Sequence, residues 1–307
     1  MTLIKGGGMD KRLIAVSFVF FVLSSAVAFA SIDRIAEKAD RLHESELHEE
    51  AEAFLLQSLN EVKMGRDKAA ILWRLSRAVL NIGDKKEGEG AAAAELLALF
   101  EKGQQYADDA IRHDQNNHLG YYWKSANIGR WAQTKGILDS LFKAGPMRDL
   151  LKSAVAQEPN HSQSYYVLGQ LYEQVPGFPI SFGNADYSVS LGRKAVHLLE
   201  AQYKMGIEKE IDYDFYTELA KHLYKRNWIS DKRTREHKRK RSQYESAKHP
   251  LEKNFYYEGV VELDPVSDRE EAKKLLEWTI EKFESLPQMK KSTADDLAEA
   301  REVLAGF

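Results

Sequence analysis

The residues in this chain best suited to chemistry are its nine histidines, several of which sit among carboxylates. The stretch HESELHEE, from His43 to Glu50, holds two histidines and four glutamates and invites a metal reading. Its spacing argues against one. A zinc-protease helix places two histidines at i and i+4, about 40° apart around the axis, whereas His43 and His48 are i and i+5, about 140° apart. The alternative is a solvated helix face leading into a turn. His113 and His118 bracket a second candidate, DQNN, where Asp114 and Asn116 suggest a calcium loop. That loop needs Gly at its sixth position and Glu at its twelfth, and both are missing. A turn rich in Asn accounts for the segment more simply. No cysteine occurs, so thiolate metal sites, thiol nucleophiles and disulfides are excluded. No G-x-S-x-G, Walker A or G-x-G-x-x-G pattern is present, and no cofactor is implied. An enzyme is left only the route of an unrecognised site in which His and carboxylates converge.

Two further groups point to binding. The run from Lys232 to Arg241 packs seven Lys or Arg into ten residues. Its core, Lys238, Arg239, Lys240 and Arg241, is a candidate anionic surface contact, with a solvated and partly mobile insertion as the alternative. The second group is aromatic: Trp73, Tyr121, Tyr122, Trp123, Trp131, Tyr165, Tyr166 and Tyr172 outnumber what packing between helix pairs requires.

The elements that must position these residues are helices. Apolar residues recur at helical spacing almost throughout the chain after Ser31, and no run of β-branched alternation appears, so the mature chain reads as all-α. The clearest unit is SQSYYVLGQLY, Ser162 to Tyr172, after a Glu158-Pro159-Asn160 turn. It resembles the tetratricopeptide repeat, with Tyr165, Leu168, Gly169 and Tyr172 at the four first-helix positions and Pro159 closing the preceding unit. Weaker units follow the same pattern around Leu55, Leu72, Ala107, Tyr121, Leu151, Ala195, Leu219 and Leu276. The expected fold is an irregular tetratricopeptide-repeat solenoid of roughly five to six helical hairpins, in a single domain over residues 31–307. Interruptions near 83–90, 176–184 and 227–253 are expected as loops, and a C-terminal capping helix is expected to start at Ser292, with Asp295 three positions on. In such a fold the first helices line a concave face, which makes Trp73, Arg77, Asn81, Tyr122, Tyr166, Gln170 and Gln174 a candidate groove for a partner or ligand.

Residues 1–30 read as a signal peptide: Lys11 and Arg12, an apolar run from Leu13 to Val27, then Ala28-Phe29-Ala30 before a cut at Ser31. Met9 is the better initiator. The apolar run is shorter than the roughly twenty residues a membrane helix needs. Secretion without disulfides fits a bacterial periplasm, and a chain without cysteine is not a lipoprotein. The formal charge is −3, and losing Lys5, Lys11 and Arg12 against Asp10 makes the body more acidic, which argues against nucleic-acid binding.

The signal segment, LWRLSRAV at Leu72–Val79, YADDAIRHDQNN at Tyr106–Asn117 and FGNADYSVSLGRKAV at Phe182–Val196 together resemble the T component of tripartite ATP-independent periplasmic (TRAP) transporters and its relatives of the regulator-of-microtubule-dynamics type. The resemblance covers about Ala70 to Val196. It implies a periplasmic protein that partners the transporter's substrate-binding subunit and helps pass hydrophobic or carboxylate ligands. The expected function is therefore a binding scaffold, not an enzyme, whose groove docks a partner protein and has room for a hydrophobic ligand. The alternative is an envelope-assembly scaffold that docks at an anionic membrane surface through the basic insertion. Oligomeric state stays open.

Overall fold

The computed structural model describes residues 32–307; the expected secretion signal, residues 1–30, lies outside the described residues. Among the described residues the chain is all-α, and one isolated bridge between Gly177 and Gly183 is the sole extended pairing. The helices form two compact units, one ending at Gln115 and the other spanning Asn116–Phe307.

The first unit contains α1 (32–44), α2 (His48–Leu59), α3 (Gly65–Gly88) and α4 (Ala93–His113). α3 packs against both α2 and α4. Its buried stripe, Ala69, Leu72, Ser76, Val79 and Gly83, steps by three and four residues and is widened by Ile71, Leu75 and Ile82. Burying each Leu or Ile contributes about 1.5–3 kcal/mol, which outweighs the helix-propensity cost of the β-branched positions. The stretch from Gly83 to Gly90, expected as an interruption, is mostly the last turns of α3. Gly83 is there for packing: a Cβ on it would lie 2.5 Å from Phe100 Cε1 of α4.

The second unit holds α5 (His118–Lys135), α6 (Ile137–Gln157), α7 (Ser162–Gln174), α8 (Ala185–Lys204), α9 (Asp214–Arg226), α10 (Ser230–Ser246), α11 (Pro250–Asn254), α12 (Asp268–Glu284) and α13 (Lys291–Ala305). α5 pairs with α6, α7 with α8, α8 with α9, α9 with α12 and α12 with α13. Short polar side chains start several of these helices. Asn117 Oδ1 accepts from the Leu119 and Gly120 amides, Asn184 caps α8 in the same way, and Ser267 with Glu270 forms a capping box on α12. The expected Ser292 cap is absent. α13 begins at Lys291, and Lys290 holds the cap position without a side-chain bond.

The segment 162–172 lies within α7. Tyr165, Leu168, Gly169 and Tyr172 are all buried, and the Tyr165 hydroxyl donates to the Pro159 carbonyl (3.0 Å), tying α7 to its preceding turn. Gly169 makes room for His222 of α9, whose Nε2 would stand 2.7 Å from a Cβ at that position.

The 227–253 stretch, expected as a loop, is largely the helices α10 and α11. α10 is held down by ion pairs. Arg226 bonds Glu258 (2.9 Å) and Asp268 (2.7 Å), Arg193 reaches Glu258 (3.1 Å) and Glu271 (2.8 Å), Arg233 joins Asp268 (3.1 Å) and Glu271, and Lys240 joins Glu258 (2.6 Å) and Asp186. Trp228 forms a shelf under Arg226, Lys232 and Lys240, 4.3, 4.4 and 5.1 Å from its ring centre. Burial alone would raise the Glu258 carboxyl, but Arg226, Lys240 and Arg193 outweigh it and hold the group well below the usual carboxylate range.

Candidate functional site

In the second unit one face combines aromatic rings with carboxylates. α5 contributes Tyr122, whose ring meets His161 edge-on at 4.9 Å. α7 contributes Tyr166, stacked on Phe215 of α9 at 4.6 Å, with its hydroxyl on Asp214. The N-terminal part of α9 supplies Asp214 and Glu218, and Asp212 stands just before it. α13 packs on α9 and brings Asp296 and Glu299 to the same region. Lys221 bonds Glu218 and Glu299, the latter at 3.0 Å. Asp212, Asp214, Glu218, Asp296 and Glu299 thus lie within electrostatic reach of one another, and Lys221 pairs with two of them.

Crowding shows in the acid–base behaviour of these groups. Burial, then Glu218, lifts the Asp214 carboxyl well above its ordinary value, and its Oδ1 is shielded from solvent with no hydrogen-bond partner. Burial, then Asp212, Glu299 and Asp295, pushes Asp296 up to about 7. Burial followed by Asp212 raises the Tyr122 phenol, which places α5 within electrostatic reach of the acidic group. Asp296 is thus partly protonated near neutrality, and an arriving cation would favour its ionised form. Among the described residues no group of three or more His, Cys, Asp or Glu side chains is arranged to hold a metal ion. The chemistry suits an ammonium or guanidinium group flanked by apolar surface.

Of the residues expected to line a groove, Tyr122 and Tyr166 lie on this face, both partly buried; Gln170 is half-buried and Gln174 exposed at the end of α7. Trp73, Arg77 and Asn81 belong to the first unit, and there α1 covers them. Asp40 accepts from Arg77 (2.6 Å) and bidentately from Arg74 (3.0 and 2.8 Å), Arg74 stacks on Trp73 at 4.1 Å, and Asn81 faces His43 at 3.1 Å. Burial raises Asp40, yet the two arginines more than offset it. This stripe is helix packing within its unit and not an open surface. A spacing of i, i+4, i+8 serves either purpose, and sequence does not distinguish them.

The basic run divides. Lys238 is exposed, Arg239 is about half exposed and bonds Glu236, Lys240 is fully buried, and Arg241 donates to the Gly259 carbonyl at 3.1 Å. Sequence reasoning missed Asp212, Asp214, Glu218, Asp296 and Glu299. Their one signal was the cluster of acids at Asp212 and Asp214, which carries no motif.

A protein-family profile described as "Regulator of microtubule dynamics protein 1-3" matches residues 35–177. Regulator of microtubule dynamics protein 3 of Mus musculus is 24% identical over 138 residues, 45% of this chain and 28% of that protein. The Rattus norvegicus protein of the same name is 22% identical over 144 residues, 47% and 30% of the two chains. The match thus spans less than a third of each relative's length. It includes Tyr122 and Tyr166 and stops before the acids of α9 and α13.

Proposed function

We propose that this chain is a non-catalytic binding scaffold, built of tetratricopeptide-type helix pairs, that captures a cation-bearing segment of a partner protein on the acidic aromatic face of its second unit. One observation carries the reading: Tyr122 and Tyr166 share a face with five carboxyl groups, of which Glu218 and Glu299 pair with Lys221. Aromatic rings supply contact area at low entropic cost, and the unbalanced acids supply sign selectivity. The name borne by the relatives concerns microtubule regulation, and for this chain we carry over only a regulator that acts by binding. The resemblance to the TRAP T component adds a periplasmic setting with a substrate-binding subunit as partner, and a hydrophobic ligand as a further candidate for the two rings. Docking on an anionic membrane through Lys238–Arg241 has weaker support, because Lys240 and Arg241 are engaged within the fold.

Calorimetric titration of the full chain with a Lys/Arg-rich peptide and with its Glu-rich counterpart tests the reading. Only the basic peptide is expected to bind, more weakly as salt rises, and Asp214→Asn combined with Glu218→Gln should lower its affinity about tenfold. Equal binding of both peptides, or an unchanged affinity in the folded double variant, overturns it.

A further inference from the structure

A second surface lies away from this face, at the turn between α5 and α6. α6 has 21 residues and its neighbour α7 has 13. The two are joined by a short turn over 158–161 and pack together, so the N-terminal end of α6 overshoots the end of α7 by about 12 Å. That overhang is apolar where solvent would favour polar residues: Ile137 is 89% exposed, Leu138 73% and Phe142 78%. The next turn along this edge, between α7 and α8, presents Phe178 at 93% and Ile180 at 74%. Arg148, midway along α6, lies 4.5 Å from the Phe182 ring of that turn, so the second turn flanks the same helix further from its N-terminal end.

The first tip carries Lys135 and Lys143 against Asp139 in the first turn of α6, a small positive balance; the two lysines place their ammonium groups 5.8 and 5.1 Å from the Trp131 ring, at the base of the overhang. Apolar side chains at the end, a tryptophan behind them and lysines beside the tryptophan form the layering of a bilayer boundary: acyl region, interface, headgroups. A protein partner fits this surface less well. The apolar residues stand on two projecting turns, and lysine is depleted where protein interfaces bury their core. Among the described residues no helix is long and apolar enough to cross a membrane. Contact would be peripheral.

We propose that the α5–α6 and α7–α8 tips insert Ile137, Leu138, Phe142, Phe178 and Ile180 into the interface of an anionic bilayer, with Lys135 and Lys143 at headgroup level. This places the membrane contact on an apolar edge and leaves the acidic face to its partner; the two proposals are independent.

The test uses the full chain carrying Phe142→Trp, a mild change at an exposed position, and vesicles of phosphatidylcholine with phosphatidylglycerol, with and without lipids brominated in the acyl chains. The fluorescence difference from the parent chain reports position 142 itself, so anchoring of the chain through its apolar N-terminal run does not imitate the result. Emission at position 142 is expected to shift to the blue and be quenched about twofold by the brominated lipid, with less effect in pure phosphatidylcholine. Adding Ile137→Glu and Leu138→Glu should abolish the quenching while the circular dichroism spectrum stays helical. Unquenched emission at position 142 in chains that sediment with the vesicles overturns the proposal. So does a blue shift that depends on protein concentration without lipid, which assigns the tip to a second copy of the chain.

Discussion

Two charged regions of the second unit make opposite use of the same side chains. Beneath α10, Arg193, Arg226, Arg233 and Lys240 meet Asp186, Glu258, Asp268 and Glu271, four cations against four carboxylates, five of the eight buried and the rest partly so. On the acidic face five carboxyls crowd one another, and Lys221 pairs with Glu218 and Glu299. In the first region every charge is met inside the fold, so the cluster holds α10 against α8, α9 and α12 and leaves little attraction for an outside ion. In the second the carboxyls outnumber their paired lysine, so ionising Asp214 and Asp296 costs stability and an incoming cation favours it. Balance distinguishes the two more clearly than composition does.

The largest effect is expected from breaking the balanced cluster. Glu258→Gln keeps the shape but leaves Arg226, Arg193 and Lys240 short of a counter-charge, and thermal unfolding should show a loss of about 3–5 kcal/mol. Glu258 has a depressed pKa in the folded state, so its contribution is fully present above its ordinary value of 4.5 and disappears as pH falls through the lower folded value. The gap between variant and parent should therefore narrow on acidification. A gap independent of pH would assign the loss to packing instead.

The acidic face predicts the reverse sign. Asp296 titrates at about 7 when folded against 3.8 ordinarily, so the folded state incurs no penalty below 3.8, accumulates one as pH rises to about 7, and keeps it above. Asp296→Asn should raise stability at pH 8 by about 1 kcal/mol, a figure discounted for the solvent that screens a partly exposed group, and should do nothing at pH 3. Melting curves at the two pH values check this, and a variant less stable at pH 8 would contradict the unmet charge. The smallest expected effect lies within the basic helix. Lys238→Ala should leave the melting temperature unchanged, while Lys240→Ala, two residues on, should lower it clearly; similar values for both would mean that burial of Lys240 is not what matters.

Much of the helical architecture was legible in the sequence. The 3.6-residue period located the helices from α2 to α9 and α12, and the Tyr165-Leu168-Gly169-Tyr172 spacing identified buried positions of α7. Two kinds of error had physical causes. Gly83, Gly88 and Gly90 read as breakers, but a glycine under Phe100 is a packing device, and α3 continues through it. The lysines and arginines of 232–241 read as solvated because sequence shows charge and not counter-charge; Glu258 and Asp268, which capture Lys240 and Arg233, stand 18 and 35 residues further along the chain.

The sequence by itself determined the helices that carry an apolar stripe and which of their faces are apolar, because both follow from the periodicity of neighbouring residues along one backbone; the charged α10 has no such stripe. Only the tertiary structure decided which polar residues are structural and which are open to a partner. That distinction depends on the distance between side chains far apart in the chain: Asp40 covering Arg77, Glu258 neutralising Lys240, and Asp296 crowding Asp214. Coulomb interaction acts through space and falls with separation, so the folded chain sets the outcome.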